Sequence, residues 1–297
     1  MQASVLEKKT VLDRYLRLNP QSLCGYSLVN LFAWQEHWQY DIREIDGHLC
    51  VFAINALGMF MPLPPLGQSV TLQTAEACFA LMEQHNGPGS YSRIENVSAS
   101  MLDLFPSKHY DYYRKGYEYC YFRPDIVNLS GRGYKSKRPD LNYFLRHNTA
   151  HFLPLTQNRI ADCGKLYDDW AAFRRGKNSE DIYCHMLDEN RSVHRLVLEN
   201  AQELGLVARV VEIDGRIRAY TCGYPLNGRV FCVLFEVADL KVRGLPVYVF
   251  RRFCAEAPVA QYPFINVMDD SGLENMLRAK LSFRPRVLLA SYIITRK

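Results

Sequence analysis

Four stretches of this sequence carry side chains able to do chemistry. The first is FEVADLKVRGLPVY (235–248), where an apolar run ends in Glu236 and Asp239 and passes through Gly244 into a helical pattern. In an open α/β sheet, ligands bind at the loop between a strand end and the next helix. A carboxylate within an apolar strand is costly to bury without a partner. Glu236 is therefore either a salt-bridged structural group or a base or substrate-amine anchor, and the residues leave both readings open. The second stretch is INVMDDSGLENMLRAKLSF (265–283), in which Asn266 and Asp270 frame a strand-to-helix turn and Arg278 and Lys280 follow on the helix. Asp269 and Asp270 are equally explained as helix caps. Arg278 and Lys280 are two apart, so they point to different faces and cannot serve one site equally.

The third stretch, GRGYKSKRP (131–139), places Arg132, Lys135, Lys137 and Arg138 just ahead of a helix that begins at Pro139 and carries Leu141, Phe144 and Leu145. Cations beside a helix N-terminus suit phosphate, because backbone N–H groups and the dipole add to the charge. A solvated basic loop is the plainer alternative. The fourth, HYDYYRKGYEYCYF (109–122), holds six tyrosines. It is able to stack bases, though such alternation more often marks a strand packed on both faces. No GxSxG, HExxH, Walker or GxGxxG motif is present. His147 and His151 are four apart, but Asn148 and Thr149 open a non-helical stretch, so no metal pair is expected.

These groups need a scaffold, and composition says what kind. The 297 residues are 48% apolar and 23% charged, which excludes a disordered or collagen-like chain and, at about 150 residues per domain, leaves room for two cores. No apolar run approaches the ~20 residues of a membrane span, and MQASVLEKKT lacks a leader's apolar segment. A net charge of +5 permits a polyanionic partner without requiring one. Nine scattered cysteines without a CxxC pair fit reduced, buried thiols in a cytosolic protein.

The C-terminal half reads as a helix from Ser179 to Glu203, then a β-meander. LVARVVEI turns at Asp214-Gly215 into RIRAYTCGYPL, which turns at Asn227-Gly228 into RVFCVLFEVAD. A helix over 245–257, a short strand at 263–268, a helix capped by Ser271 with Glu274 completing a capping box, and a last strand, RVLLASYIIT, follow. The N-terminal half echoes this. Leu28, Leu31, Phe32 and Trp38 mark a helix after Ser27, and a hairpin turns at Asp46-Gly47. GMFMPLP, a helix over 71–85, and further strands at YSRIENVS and YEYCYF complete the echo. The expectation is two copies of one mixed α/β domain, 1–150 and 151–297, each a mostly antiparallel sheet flanked by helices.

A β-meander followed by α-β-α-β is the order of the GNAT acyltransferase fold, here in tandem. The set NLFAWQEHW, NLSGRGYKSKRPDLNYF, FEVADLKVRGLPVYVF and INVMDDSGLENMLRAKLSFRP resembles the C-terminal domain of phosphatidylglycerol lysyltransferase and its stand-alone bacterial relatives, over about residues 20–292. The sequence departs from the family's patterns in three places. The usual D-R-D-x-x-D-Y text is missing at the aromatic stretch, where only His109-Tyr110-Asp111-Tyr112 stands near it. Val237 replaces the lysine of its E-K-A-D strand end, and Pro139 replaces the asparagine after its K-R pair.

The resemblance implies an acyltransferase that moves an aminoacyl group from aminoacyl-tRNA to a hydroxyl or amine, a lipid headgroup in the lysyltransferase, without a cofactor. Carried onto this sequence, Glu236, Asp239 and Asp270 would be the catalytic carboxylates, gripping the ammonium or accepting a proton. Arg278, Lys280, Asn266 and Tyr248 would contact substrate. Arg132, Lys135, Lys137 and Arg138 would track phosphates of tRNA or lipid. The protein is then expected in the cytoplasm, touching anionic headgroups at the inner membrane face only transiently. Two rivals stand beside this reading. An acyl-CoA donor needs a glycine-rich loop at a helix N-terminus, whereas KVRGLPVY offers one glycine before Leu-Pro. A non-catalytic nucleic-acid or headgroup binding module on the same fold is the other.

Overall fold

The computed structural model describes residues 4–87, 91–178 and 180–297. Residues 1–3, in the stretch expected to lack a leader, and Ser179, expected to open a long helix, lie outside them. Packing gathers the chain into two compact units. One comprises the chain up to Tyr119 with Met268–Leu277 and Val287–Lys297; the other comprises Cys120–Val267 and Arg278–Arg286. This partition is not the pair of contiguous halves, 1–150 and 151–297, expected from the sequence. The reason is long-range strand pairing, which no local pattern encodes.

The first unit opens with α1 (Lys9–Leu18), a helix not expected from the sequence, which buries Leu12 and Tyr15. α2 (Leu28–Ala33) starts where Ser27 accepts the Asn30 N–H, but it stops short of Trp38. β1 (Gln39–Ile45) and β2 (His48–Asn55) make an antiparallel hairpin. Asp46 and Gly47 both take positive φ, 49° and 76°, the mirror-image turn whose twist matches that of the strands. β3 (Gly58–Phe60) completes a β1-β2-β3 sheet. α3 (Leu72–Asn86), capped by Thr71, lays Cys78, Phe79 and Met82 against Cys50, Phe52 and Met61. β4 (Ile94–Ser98) and β5 (Tyr110–Phe122) follow. The tyrosine-rich stretch is thus a single strand, with Tyr110, Tyr119 and Tyr121 buried and Tyr112 and Tyr113 exposed.

The second unit begins with the last three residues of β5. It continues through α4 (Arg123–Asn128), α5 (Lys137–His147), β6 (Ala150–Pro154), α6 (Ile160–Arg175) and α7 (Asp181–Glu199). The meander is β7 (Val207–Ile213), β8 (Arg216–Pro225) and β9 (Val230–Ala238). Asp214 and Gly215 repeat the left-handed pair at 51° and 70°. The Asn227-Gly228 turn is built otherwise: the Asn227 side-chain oxygen accepts the N–H groups of Arg229 and Val230. After it come α8 (Leu245–Cys254), α9 (Ala257–Ala260) and β10 (Phe264–Asn266). The unit's strands lie in the order β5-β10-β9-β8-β7-β6, antiparallel except for β10 on β9.

α10 (Glu274–Leu281) begins later than expected. Ser271 and Gly272 have φ of 52° and 71°, so Ser271 is not a helix cap and no capping box forms. Instead the carboxylates of Asp269 and Asp270 accept the N–H groups of Ser271 and Gly272, each at 2.9 Å. β11 (Val287–Arg296) then joins the first unit, between β4 and β5. In the second unit Ala219 and Ala238 face α5 and α8 across a core that includes Phe144, Val211 and Val249. Tyr220 and Phe235, of opposite parity, meet His194 of α7.

Candidate active site and cationic cleft

β9 carries a bulge. Cys222 pairs with Phe235 and Gly223 with Val233, which leaves Leu234 unopposed. The bulge depends on Gly223: a Cβ there would stand 2.2 Å from the Cys232 carbonyl oxygen and 2.6 Å from the Phe231 ring. Beyond the bulge, strand alternation puts Glu236 on the face of Ala238, toward α8. Its Oε2 is shut off from solvent and has no hydrogen-bond partner. Burial pushes the carboxyl up to about 8. Near neutral pH most of it is then the uncharged acid, able to donate a hydrogen bond or, once ionised, to accept a proton or grip an ammonium. At the end of α8 the buried Cys254 thiol is pushed far up, first by burial and then by Glu236, with Arg123 opposing. The Arg123 Nε nearby is likewise buried without a partner.

The other nominated carboxylates are tied down. Asp239 pairs with Arg218 at 2.8 Å and accepts the Lys241 N–H at 2.9 Å. It lines a mixed-charge groove of about 700 Å³ with Asp162, Lys165, Trp170 and Arg216; Glu236 is not part of that wall. Asp270, in the first unit, accepts a short hydrogen bond from the Tyr119 hydroxyl. Burial, and then this carboxylate, raise the Tyr119 pKa. Asn266 is fully buried in β10, paired in register with Cys120 and Cys232. The Lys280 ammonium donates to the Val267 carbonyl at 2.6 Å, while Arg278 is exposed. Tyr248 packs on Phe144, ring centroids 4.5 Å apart, and burial raises its pKa. It is a half-buried side chain packed against the core of the second unit.

Of the four nominated cations, Arg132 and Lys135 are exposed. Lys137 is turned inward: its ammonium lies 4.0 Å from the centre of the Phe283 ring, and burial lowers its pKa. It is not an outward phosphate contact. The cause is legible, because Lys137, Leu141 and Phe144 share one helix face. Arg138 donates from Nη1 to the carbonyls of Leu129 and Gly131, at 2.7 and 2.8 Å. Lys135 and Arg138 border an open cleft of about 610 Å³ whose other walls are Pro139, Asn142, Tyr143, Arg146 and Arg243. Arg138, Asn142 and Arg146 recur every four residues along α5, a signal that names Arg146 from sequence. Arg243 comes from the loop before α8, and no local pattern points to it.

The N-terminus of α8 is filled. Leu245 donates its N–H to Val242 at 3.2 Å, Pro246 has none to give, and the Asp140 carbonyl crowds Gly244. Gly244 has φ +80°, and a Cβ there would lie 2.1 Å from that carbonyl oxygen. Among the described residues no group of three or more His, Cys, Asp or Glu is arranged to hold a metal ion.

The sequence pattern of the family described as phosphatidylglycerol lysyltransferase, C-terminal, matches residues 16–295. The chain belongs to this family. A structure of a conserved Bacteroides thetaiotaomicron protein of unknown function is similar at 23% identity, with a TM-score of 0.86 over 98% of this chain and 97% of that one. L-PGS from Bacillus licheniformis is 15% identical, with a TM-score of 0.66 over 97% and 91%. A tandem GNAT protein from the clavulanic acid biosynthesis pathway shares 7% identity and a TM-score of 0.53 over 98% and 96%. The fold is accordingly that of tandem GNAT proteins. Among curated proteins, an uncharacterized protein of Mycoplasmoides gallisepticum is 21% identical over 240 residues, 74% of this chain and 75% of that protein. Within the family's E-K-A-D pattern this member has Val237, a buried side chain, so no cation stands beside Glu236 at that position.

Proposed function

We propose that this chain is an aminoacyltransferase that moves an aminoacyl group from aminoacyl-tRNA to the hydroxyl or amine of a small acceptor, a lipid headgroup foremost. Family membership supports the reaction class. The observation that carries the reading is Glu236, a carboxyl whose Oε2 is buried, unpartnered and shifted to about 8 at the end of a central strand. In the transfer, the acceptor oxygen or nitrogen attacks the ester carbonyl and loses its proton to Glu236. The ester C–O bond to the ribose then breaks, and the proton passes from Glu236 to the departing ribose hydroxyl. Positioning of the two substrates supplies the larger share of such a rate enhancement.

Arg132, Lys135 and Arg138 would meet donor phosphates. Asp239, Asn266 and Lys280 would keep the frame of the second unit in shape, Asp270 would do so within the first unit, and the exposed Arg278 would contact substrate. No described helix is long and apolar enough to cross a membrane. A lipid acceptor would be met at its headgroup, by transient docking. The matching meanders β1-β2-β3 and β7-β8-β9, with the same Asp-Gly turn, support an origin of 1–150 and 151–297 as two GNAT-like domains.

An acyl-CoA donor is disfavoured by a specific contact. Its pyrophosphate would need the α8 N-terminus, where the Asp140 carbonyl already sits over Gly244. The test is a transfer assay with charged tRNAs against lipid and peptide acceptors, run beside an acyl-CoA arm. Transfer from aminoacyl-tRNA that Glu236→Gln abolishes is the expected result. Turnover with acyl-CoA alone would overturn the donor, and tRNA binding without any turnover would favour a binding module.

A further inference from the structure

The cleft on α5 has two properties that bear on what it binds. The first is charge. Lys135, Arg138, Arg146 and Arg243 surround it, and the nearby carboxylate is Asp140, 3.2 Å from Arg243 Nε. Arg138 and Arg146 are eight residues apart, about 12 Å along the helix at ~1.5 Å per residue. A stacked strand at ~3.4 Å per nucleotide passes several phosphates in that distance. The second is a run of flat groups. The His147 imidazole stacks on the Tyr143 ring with centroids 4.1 Å apart and planes 19° apart. The Arg243 guanidinium lies 4.6 Å from the centre of the same ring. His147 is held in this pose by donating from Nδ1 to the Tyr143 carbonyl at 2.8 Å, and the residue is exposed. The exposed His147 thus stacks on Tyr143, a wall of the cleft, and follows Arg146 directly in the chain.

We propose that this cleft seats a single-stranded segment of RNA, with its phosphates on Lys135, Arg138, Arg146 and Arg243 and one unpaired base stacked on His147. The choice of RNA rests on the tRNA-donor reading above; the single-stranded form rests on the geometry. Bases inside a duplex cannot reach a side-chain ring, whereas unpaired bases stack on aromatic and guanidinium planes. An anionic membrane is the weaker fit, because Pro139 is the sole aliphatic residue in the lining and nothing there would enter an acyl layer.

The experiment measures anisotropy of the whole chain with a labelled single-stranded octaribonucleotide over a range of salt. A hairpin duplex of the same composition and vesicles containing phosphatidylglycerol serve as competitors. Four phosphate contacts predict a slope of log K against log salt near −3, at roughly 0.7 per contact. Arg146→Gln and Arg243→Gln should each flatten it by about 0.7. His147→Ala should weaken binding about tenfold or more, and His147→Trp should restore it, which a merely structural role would not. Equal binding of duplex and single strand with no effect of His147→Ala overturns the stacking site. Loss of vesicle binding in these variants, with RNA binding intact, assigns the face to membranes instead. If RNA binds as stated but no aminoacyl-tRNA supports transfer, the cleft stands and the proposed activity falls. If transfer proceeds with an unchanged KM for tRNA in Arg146→Gln, Arg243→Gln and His147→Ala, the cleft falls and the activity stands.

Discussion

Glu118 in β5 and Glu236 in β9 are both glutamates in the interior of strands, one in each unit, and their surroundings differ in kind. Glu118 is 3% exposed and accepts the Cys24 N–H at 2.8 and 3.1 Å and the Cys24 thiol at 2.9 Å. It ties a loop to a strand. Glu236 is half-buried as a residue, and its Oε2 is hidden from solvent with no donor for it. A buried carboxyl that is fully engaged is part of the frame; one left without donors stays protonated and available. The contrast separates structural from chemical carboxylates more sharply than position along the chain does.

The largest expected effect breaks the chemical side of that contrast. Glu236→Gln keeps the shape and removes the proton acceptor, so kcat should fall by about 10²–10⁴ while the protein stays folded. A loss below tenfold in steady-state transfer would make Glu236 a frame residue after all. The pH profile follows from the same group. With the free-enzyme carboxyl near 8, kcat/KM should rise about tenfold per pH unit below that value and level off above it.

Stability should run the other way. The folded carboxyl at about 8 lies above its ordinary 4.5, so the folded state holds the extra proton between those values. Stability is full below 4.5 and declines as pH rises through 8. Urea unfolding of Glu236→Gln should lack that decline. Glu118→Ala tests the structural side: with the acceptor of the Cys24 N–H and thiol removed, unfolding free energy should drop by about 1.5–3 kcal/mol. The smallest effect is expected at Asp239, which Arg218 and the Lys241 N–H engage. Asp239→Asn should change transfer less than twofold and stability by no more than about 1 kcal/mol. A large kinetic loss there would move the chemistry to the groove it lines.

Much of this was readable in the residues, wherever the determinant is local. The Asp46-Gly47 and Asp214-Gly215 turns follow directly from the conformational freedom of those pairs. Asn227-Gly228 looks the same in sequence, yet its turn is made by a side-chain oxygen, a choice only the surroundings decide. Lys137 and Arg146 show the cost of reading charge as composition. Helical spacing places the first with Leu141 and Phe144 and the second with Arg138, so periodicity sorts them where counting does not. Glu236 was visible as a misfit in an apolar strand, but whether it was paired was not. That depends on which side chains of α4 and α8 come near it. Arg243 joins the α5 cleft, and β11 joins the first unit, through contacts far apart in sequence.

The path of β11 has a consequence for the order in which the protein is made. The first unit requires Met268–Leu277 and Val287–Lys297, residues synthesised only after Cys120–Val267 of the other unit. During translation, at roughly 5–20 residues per second, the amino-terminal core must wait for them. Until they leave the ribosome, the facing edges of β4 and β5 have no strand between them. The nascent chain therefore depends, for longer than a chain of consecutive domains would, on whatever shields open strand edges in the cell.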